Sequence, residues 1–143
     1  MKKLMLLFVA AGLLVAFAMA QLERTPAPEG ASVYLISPQE GETVTAPVLV
    51  RFGLTGMGVA PAGVEFPNTG HHHLLINLTV DDVDLDEPLP FTDQHVHLGG
   101  GQTEIELELL EPGTYTLQAL LADWRHIAFD PVIASEVVTI TVE

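Results

Sequence analysis

Short apolar runs with a period of two residues constrain the fold of this chain more than any other feature. Residues 74–80 place four apolar side chains on one face, and residues 103–110 set Ile and Leu on one face against three glutamates on the other. Such alternation is what a half-buried β-strand requires. Connections rich in Gly, Pro and Asp separate the runs, and no long amphipathic helix pattern occurs. The chain is therefore predicted to be all-β.

The number and spacing of these runs indicate one small domain. A chain of 143 residues allows one domain and little more. Six or seven short strands joined by turn signals are typical of an antiparallel, immunoglobulin-like β-sandwich. We therefore predict this fold, with about seven strands. A small closed barrel is the alternative. The clearest strand segments are residues 33–37, 48–54, 74–80, 103–110, 115–122 and 136–142.

The first twenty residues have the pattern of a secretory signal peptide. Lys2 and Lys3 precede an uninterrupted apolar run, and a small-x-small motif ends at Ala20. An uncleaved membrane anchor is the alternative, because the apolar run reaches the short limit of a spanning helix. We expect cleavage, an exported protein in the periplasm or outside the cell, and no membrane association afterwards. Residues 21–31 are predicted to be a flexible tether, and residues 32–143 the folded domain.

Charge and composition exclude several classes of function. The net charge is −14, and only three arginines follow residue 20, among nineteen acidic residues. Nucleic-acid binding and docking on anionic membranes need basic surfaces, so neither is expected. The chain has no cysteine, which excludes disulfides, thiolate catalysis and Cys-ligated metals. The acidity is compatible with cation binding, and equally with adaptation to a salty medium.

The six histidines are confined to three places in the sequence. His71, His72 and His73 precede the clearest strand, His95 and His97 share an i, i+2 spacing, and the last histidine lies in the loop before the final strand. If the extended conformation includes the first group, strand parity points His72 toward the core. His71 and His73 then share the opposite face, roughly 7 Å apart at Cβ.

Two imidazole pairs that converge would supply the nitrogens of a transition-metal site. Neutral imidazole is a common ligand for copper and zinc, and four nitrogens suit tetrahedral zinc or planar copper(II). Asp93 and Asp123 are candidate carboxylate ligands or partners of the rings. The predicted metal ligands are His71, His73, His95 and His97, with His126 and Met57 as second-rank ligands.

The predicted function is metal carriage, buffering or tolerance, with a copper or zinc ion as the bound partner and no enzymatic turnover. One alternative is a non-catalytic interaction module of the cell envelope, with an unidentified protein partner, in which the histidines only lock two long loops. A second alternative is a metal-dependent hydrolase, with three histidine ligands, an open position for water and an acidic residue as the base.

Four segments of the sequence form long, specific motifs: GMGVAPAG at residues 56–63, NTGHHHLLI at residues 68–76, DQHVHLGGGQTE at residues 93–104 and SEVVTITV at residues 135–142. They resemble an exported bacterial family described as a domain of unknown function, number 4399. The resemblance implies a small exported β-sandwich and no established activity. The family pattern has a further His where this chain has Phe129, and a Pro where it has Val132, so no ligand is expected from Phe129.

Overall fold

A computed structural model describes residues 22–108 and 110–143, which form two β-sheets. The strands in these residues are β1 (Ser32–Ser37), β2 (Thr43–Val44), β3 (Val48–Thr55), β4 (Gly58–Val59), β5 (Thr69–Ile76), β6 (His95–His97), β7 (Glu104–Leu107), β8 (Gly113–Ala122) and β9 (Val138–Val142). The smaller sheet has the order β1-β3-β7. The larger sheet has the order β2-β9-β8-β5-β4, and β6 pairs with β5.

This strand order is that of an immunoglobulin-like sandwich. In that fold the first, second and fifth strands share one sheet, and the third, sixth and seventh share the other. Strands β1, β3 and β7 occupy the first set, and β5, β8 and β9 the second. The Tyr115 hydroxyl, near the start of β8, donates to the Glu111 carbonyl oxygen at 2.8 Å, which is the tyrosine corner of this fold. The predicted β-sandwich is confirmed, and the two separate sheets exclude the closed barrel.

The hydrophobic core lies between the two sheets. Val50 and Phe52 of β3 pack in one cluster with Leu74, Leu117 and Ile140 of the larger sheet. Burying a side chain of this size contributes about 1.5–3 kcal/mol. Because the chain has no cysteine, this core stabilises the domain without disulfides.

Strand β5 begins and ends earlier than the apolar pattern predicts. It starts at Thr69 and ends at Ile76, and Val80–Asp82 forms a short 3-10 helix. Asn77 has a φ of 55°, and its Oδ1 accepts a hydrogen bond from the Thr116 backbone N–H at 3.0 Å, which turns the chain out of the sheet. All three consecutive histidines therefore lie inside the strand.

The outer face of the larger sheet is covered by connections. A second apolar cluster joins Leu120 and Ala122 of β8 to Leu89 and Ala128, which come from two different loops. Val83 and Val132 pack against the same cluster. Side chains on this outer face are consequently buried, although they lie outside the inter-sheet core.

The described part of the N-terminal segment is packed on the domain, which corrects the expected flexible tether over residues 21–31. The Ala27 N–H donates to the Asp130 carbonyl oxygen at 2.8 Å, and the Asp130 N–H donates to the Thr25 carbonyl oxygen at 2.9 Å. The Arg24 side chain donates to the carbonyl oxygens of Ala128 and Phe129. These partners are about a hundred positions away in sequence, so no local sequence pattern predicts the contacts.

The predicted signal segment, residues 1–20, lies outside the described residues, as does the first position of the predicted tether. Among residues 22–108 and 110–143, no helix has the length and apolar character needed to cross a bilayer.

Strand β7 carries the predicted alternation in a shorter form. Ile105 and Leu107 contribute to the inter-sheet core, and Glu104 and Glu106 are exposed. Leu109, predicted to continue the inner face, lies outside the described residues.

Candidate metal centre

Pairing between β5 and β6 brings the two histidine pairs side by side. His73 is registered opposite His97, and Leu75 is registered opposite His95. Residues directly opposite each other on neighbouring strands project from the same face of a sheet. His71, His73, His95 and His97 therefore share the outer face of the larger sheet.

Five imidazoles form a contiguous group on this face, which we call the histidine cluster. His73 Nε2 lies 3.0 Å from His71 Nε2, and His73 Nδ1 lies 3.1 Å from His95 Nε2. His126 Nε2 lies 3.1 Å from His97 Nε2. The His71 ring centroid is 4.9 Å from that of His97 and 5.0 Å from that of His126. The two predicted pairs thus meet in one place, and the sixth histidine in the chain, His72, is the one left out.

A turn after β8 places His126 in the cluster. Asp123 Oδ1 accepts hydrogen bonds from the backbone N–H groups of Arg125 and Ile127, at 2.8 and 3.1 Å. His126 has a φ of 68°, in the left-handed region that few non-glycine residues adopt. Its carbonyl oxygen accepts a hydrogen bond from the Leu89 N–H at 2.8 Å, which ties the turn to the loop that follows the 3-10 helix.

Gly99 leaves room for the ring of His97. A Cβ built at Gly99 would overlap Cε1 and Nε2 of that imidazole. The first glycine of the Gly-rich turn after β6 therefore allows a close approach between the backbone and the His97 ring. Gly100 differs, because a Cβ there would meet only the end of the Gln102 side chain.

Burial keeps the inner imidazoles of the cluster neutral. Desolvation, with smaller contributions from neighbouring histidines, lowers the pKa of His73 to about 2 and that of His71 to about 4. Desolvation and then His97 lower the pKa of His95, and desolvation and then His126 lower the pKa of His97. At neutral pH these rings are uncharged and each has a lone pair, which is the form that binds metal ions.

Asp123 is the carboxylate whose charge acts on His71. Burial opposes its ionisation, but hydrogen bonds from Thr25, Arg125 and two backbone N–H groups hold its pKa below the ordinary value. Arg125 Nη2 lies 2.8 Å from its Oδ2, and Thr25 Oγ1 donates to the same oxygen at 2.7 Å. Both carboxylate oxygens of Asp123 thus accept hydrogen bonds from other groups. The ligand atoms that the cluster itself offers are neutral imidazole nitrogens.

Within the described part of the chain, one group of potential ligands converges. His71, His97 and His126 each offer a nitrogen, and these atoms all lie within 4.8 Å of one another. Two nitrogens on one zinc ion are about 3.3 Å apart in tetrahedral geometry and about 2.9 Å apart at a right angle, given Zn–N bonds of about 2.0–2.1 Å. The 3.1 Å between His97 and His126 falls in this range, whereas a separation of up to 4.8 Å exceeds it by as much as about 1.5 Å, which the side chains would close by moving inward. Three such ligands leave the fourth position of a tetrahedral ion open.

The family model described as a domain of unknown function (DUF4399) matches residues 50–143. The chain belongs to this family. The resemblance predicted from the sequence is thereby confirmed, and the matched range includes all six histidines. No curated protein matches the chain. Among solved structures, the solution structure of the PKD domain (residues 329–428) from human KIAA0319 is similar, with 11% identity, 88% of each chain covered and a TM-score of 0.42.

Three other residues singled out in the sequence of this DUF4399 domain lie outside the cluster: His72, Met57 and Asp93. His72 faces the inter-sheet core, as strand parity predicts, and its ring stacks on Phe52 with centroids 4.8 Å apart. Met57 packs against the same core. Asp93 is exposed at the end of the loop before β6. The roles of Met57 and Asp93 in metal binding stay predictions.

Phe91 is a residue of the site that sequence reasoning missed. Its ring stacks on His97 with centroids 4.7 Å apart and lies 5.7 Å from His126, yet the residue is 64% exposed. Phe91 therefore covers the more exposed edge of the cluster. The only signal was an isolated aromatic residue beside Pro90 in an otherwise acidic and proline-rich connection.

Proposed function

We propose that this protein is an exported β-sandwich that binds one transition-metal ion, copper or zinc, through His71, His97 and His126. The observation that carries the proposal is the convergence of these imidazoles from β5, β6 and the turn after β8. Three separate segments of the chain supply them, and their nitrogens, within 4.8 Å of one another, reach the spacing of one coordination sphere if the side chains move inward by up to about 1.5 Å.

The donor set selects the class of ion. Calcium and magnesium take oxygen ligands, whereas neutral imidazole suits zinc, copper and nickel. Thiolate ligands are excluded because the chain has no cysteine. Copper(II) is bound most tightly of the divalent first-row ions by nitrogen sites, and zinc accepts three histidines with an open fourth position. Copper and zinc are therefore the ions to test first.

The proposed role is carriage, buffering or tolerance of the metal, without turnover. The hydrolase alternative assigns an acidic residue as the base, and Asp123, whose charge acts on His71, is already engaged by Arg125 and Thr25. The net charge of −14 favours the approach of cations, mainly at low ionic strength. The signal-like start of the sequence supports export to the periplasm or beyond.

The test is calorimetric titration of the processed protein with zinc and copper(II). We expect one ion per chain, with a dissociation constant in the micromolar range or tighter. His97→Ala and His126→Ala should each weaken binding more than the roughly 10–100-fold that loss of an outer-shell partner causes. His72→Leu is the matched control, because His72 belongs to the same histidine run but faces the core. Its affinity should equal that of the wild type.

The contrary results are equally specific. Dissociation constants weaker than millimolar for both ions would contradict the proposal. The interaction module would then be the better account, and it predicts that a chelator leaves the melting temperature unchanged.

A further inference from the structure

Two members of the histidine cluster, His73 and His95, are not among the proposed ligands. His73 is fully buried, and each of its ring nitrogens faces another imidazole: Nε2 faces His71 at 3.0 Å, and Nδ1 faces His95 at 3.1 Å. Among the described residues, His71 Nδ1 and His95 Nδ1 are buried without a hydrogen-bond partner. The three rings thus form a relay with one unpartnered nitrogen at each end.

Counting protons leaves the relay two arrangements. Each neutral imidazole has one N–H group and one lone pair, so three rings have three protons. The two contacts between rings use one proton each, and the third proton must lie on a terminal Nδ1. If that proton is on His95, then His71 donates through Nε2 to His73, and His73 donates through Nδ1 to His95. The lone pair left over is then on His71 Nδ1.

The opposite arrangement is incompatible with metal binding by His71. With the third proton on His71 Nδ1, both contacts reverse direction, and His71 Nε2 accepts the hydrogen bond from His73. Neither nitrogen of His71 then has a lone pair for an ion unless the contact to His73 breaks. An ion at His71 is therefore compatible with only one direction of the intact relay.

We propose that His73 and His95 are positioning residues that hold His71 in the tautomer protonated on Nε2 and leave Nδ1 to bind the metal. This inference rests on the proposed function. A metal-ligating histidine commonly donates its other N–H to an outer partner that fixes its ring and tautomer. Here that partner is a second imidazole, which in the compatible direction donates in turn to a third. The rival arrangement uses His73 Nε2 as a fourth ligand, which would remove the hydrogen bond from His71.

Two substitutions at one position separate these arrangements by zinc affinity. A glutamine amide has an acceptor oxygen and a donor nitrogen, so His73→Gln can pass the hydrogen bonds along, whereas His73→Leu cannot. We expect His73→Gln to bind zinc within a few-fold of the wild type, and His73→Leu and His95→Leu to bind about 10–100-fold more weakly. His71→Ala should weaken binding further still, and the stoichiometry should stay at one ion for every variant that binds.

Long-range ¹⁵N NMR spectra of the zinc-loaded wild type identify which nitrogen of each ring is protonated or metal-bound. A change in folding stability alone would not alter this result. We expect His71 Nδ1 to be metal-bound and His71 Nε2 to be protonated. A metal-bound Nε2 on His71, or a His73→Gln affinity as low as that of His71→Ala, would overturn the inference.

The inference and the proposed function fail in different ways. If the wild type binds neither zinc nor copper(II), both fail. If the wild type binds zinc and His73→Leu binds it equally well, only the relay is refuted. Should His73→Leu not fold, the wild-type spectra and the His73→Gln titration still decide between the two arrangements.

Discussion

Replacing His72 with leucine should stabilise the domain, and more strongly at acidic pH. The His72 ring is fully buried on the core side of β5, and neither of its nitrogens has a hydrogen-bond partner among the described residues. An unsatisfied buried polar group costs about 1–3 kcal/mol. Leucine removes that cost but also removes the stacking on Phe52, which is worth about 0.5–1.5 kcal/mol for an aromatic pair. We therefore expect a net gain of about 1 kcal/mol at pH 8.

The acidic part of the effect follows from proton linkage. Desolvation lowers the pKa of His72 to about 4 in the folded protein, from 6.5 in the unfolded chain. Between these two pKa values the unfolded state binds more protons than the folded state. The free energy of unfolding is therefore undiminished by His72 protonation above pH 6.5 and falls as the pH falls toward 4. At pH 5 the linkage costs the wild type about 2 kcal/mol, which His72→Leu avoids.

The assay is urea unfolding at pH 8 and pH 5, with a chelator present to remove metal effects. The free-energy advantage of His72→Leu should grow from about 1 to about 3 kcal/mol, because the linkage contribution adds to the desolvation contribution. The two proteins differ only at position 72, so the contributions of all other groups largely cancel in the difference. An advantage that is equal at the two pH values would refute the buried, neutral state assigned to His72.

Three further predictions concern the cluster and the turn that supports it. Zinc at about 100 times its dissociation constant should stabilise the protein by about 2.7 kcal/mol, which raises the melting temperature by roughly 10 °C, and His97→Ala should abolish the shift. Gly99→Ala should displace the His97 ring and weaken zinc binding at least about tenfold by calorimetry, whereas Gly100→Ala should change it less than about twofold. Asp123→Ala should lower the free energy of unfolding in urea by about 2–4 kcal/mol at pH 7, because it removes charged hydrogen bonds to Arg125. The folded-state pKa of Asp123 lies below its ordinary value. The difference in free energy of unfolding between the wild type and Asp123→Ala should therefore shrink as the pH falls from the ordinary pKa through the folded-state pKa. Equal stability of the variant and the wild type at pH 7 would contradict that account.

The faces of the strands could be predicted from the sequence, because strand parity is a local property. The period of two placed His72 toward the core and His71 and His73 on the opposite face, and the structure confirms this arrangement. The end of β5 was predicted too late. The apolar pattern continues through Val80, but Asn77 adopts a left-handed conformation that no apolar pattern encodes.

Long-range pairing could not be predicted from local patterns. The register that sets His73 opposite His97 depends on the path of the connection between β5 and β6, and β6 itself is three residues long. The position of His126 depends on a turn that the buried Asp123 shapes through its hydrogen bonds. His126, predicted as a second-rank ligand, therefore belongs to the group of three converging imidazoles. The packed N-terminal segment has the same cause, because its hydrogen-bond partners lie about a hundred residues away.

The energetics of the histidines distinguish a packed ring from a ligand. His72 and His71 are both fully buried and both have an unpartnered nitrogen among the described residues, so an unsatisfied nitrogen alone identifies no metal site. The difference lies in the neighbours: His72 has Phe52 beside it, whereas His71 lies beside three other imidazoles. If the cluster served only to lock loops, apolar side chains on this buried face would do so without the cost of desolvating five rings. An ion that binds the folded state recovers that cost through coordination. Zinc should therefore stabilise the wild type and His72→Leu equally, while His72→Leu alone should be the more stable protein in the absence of metal.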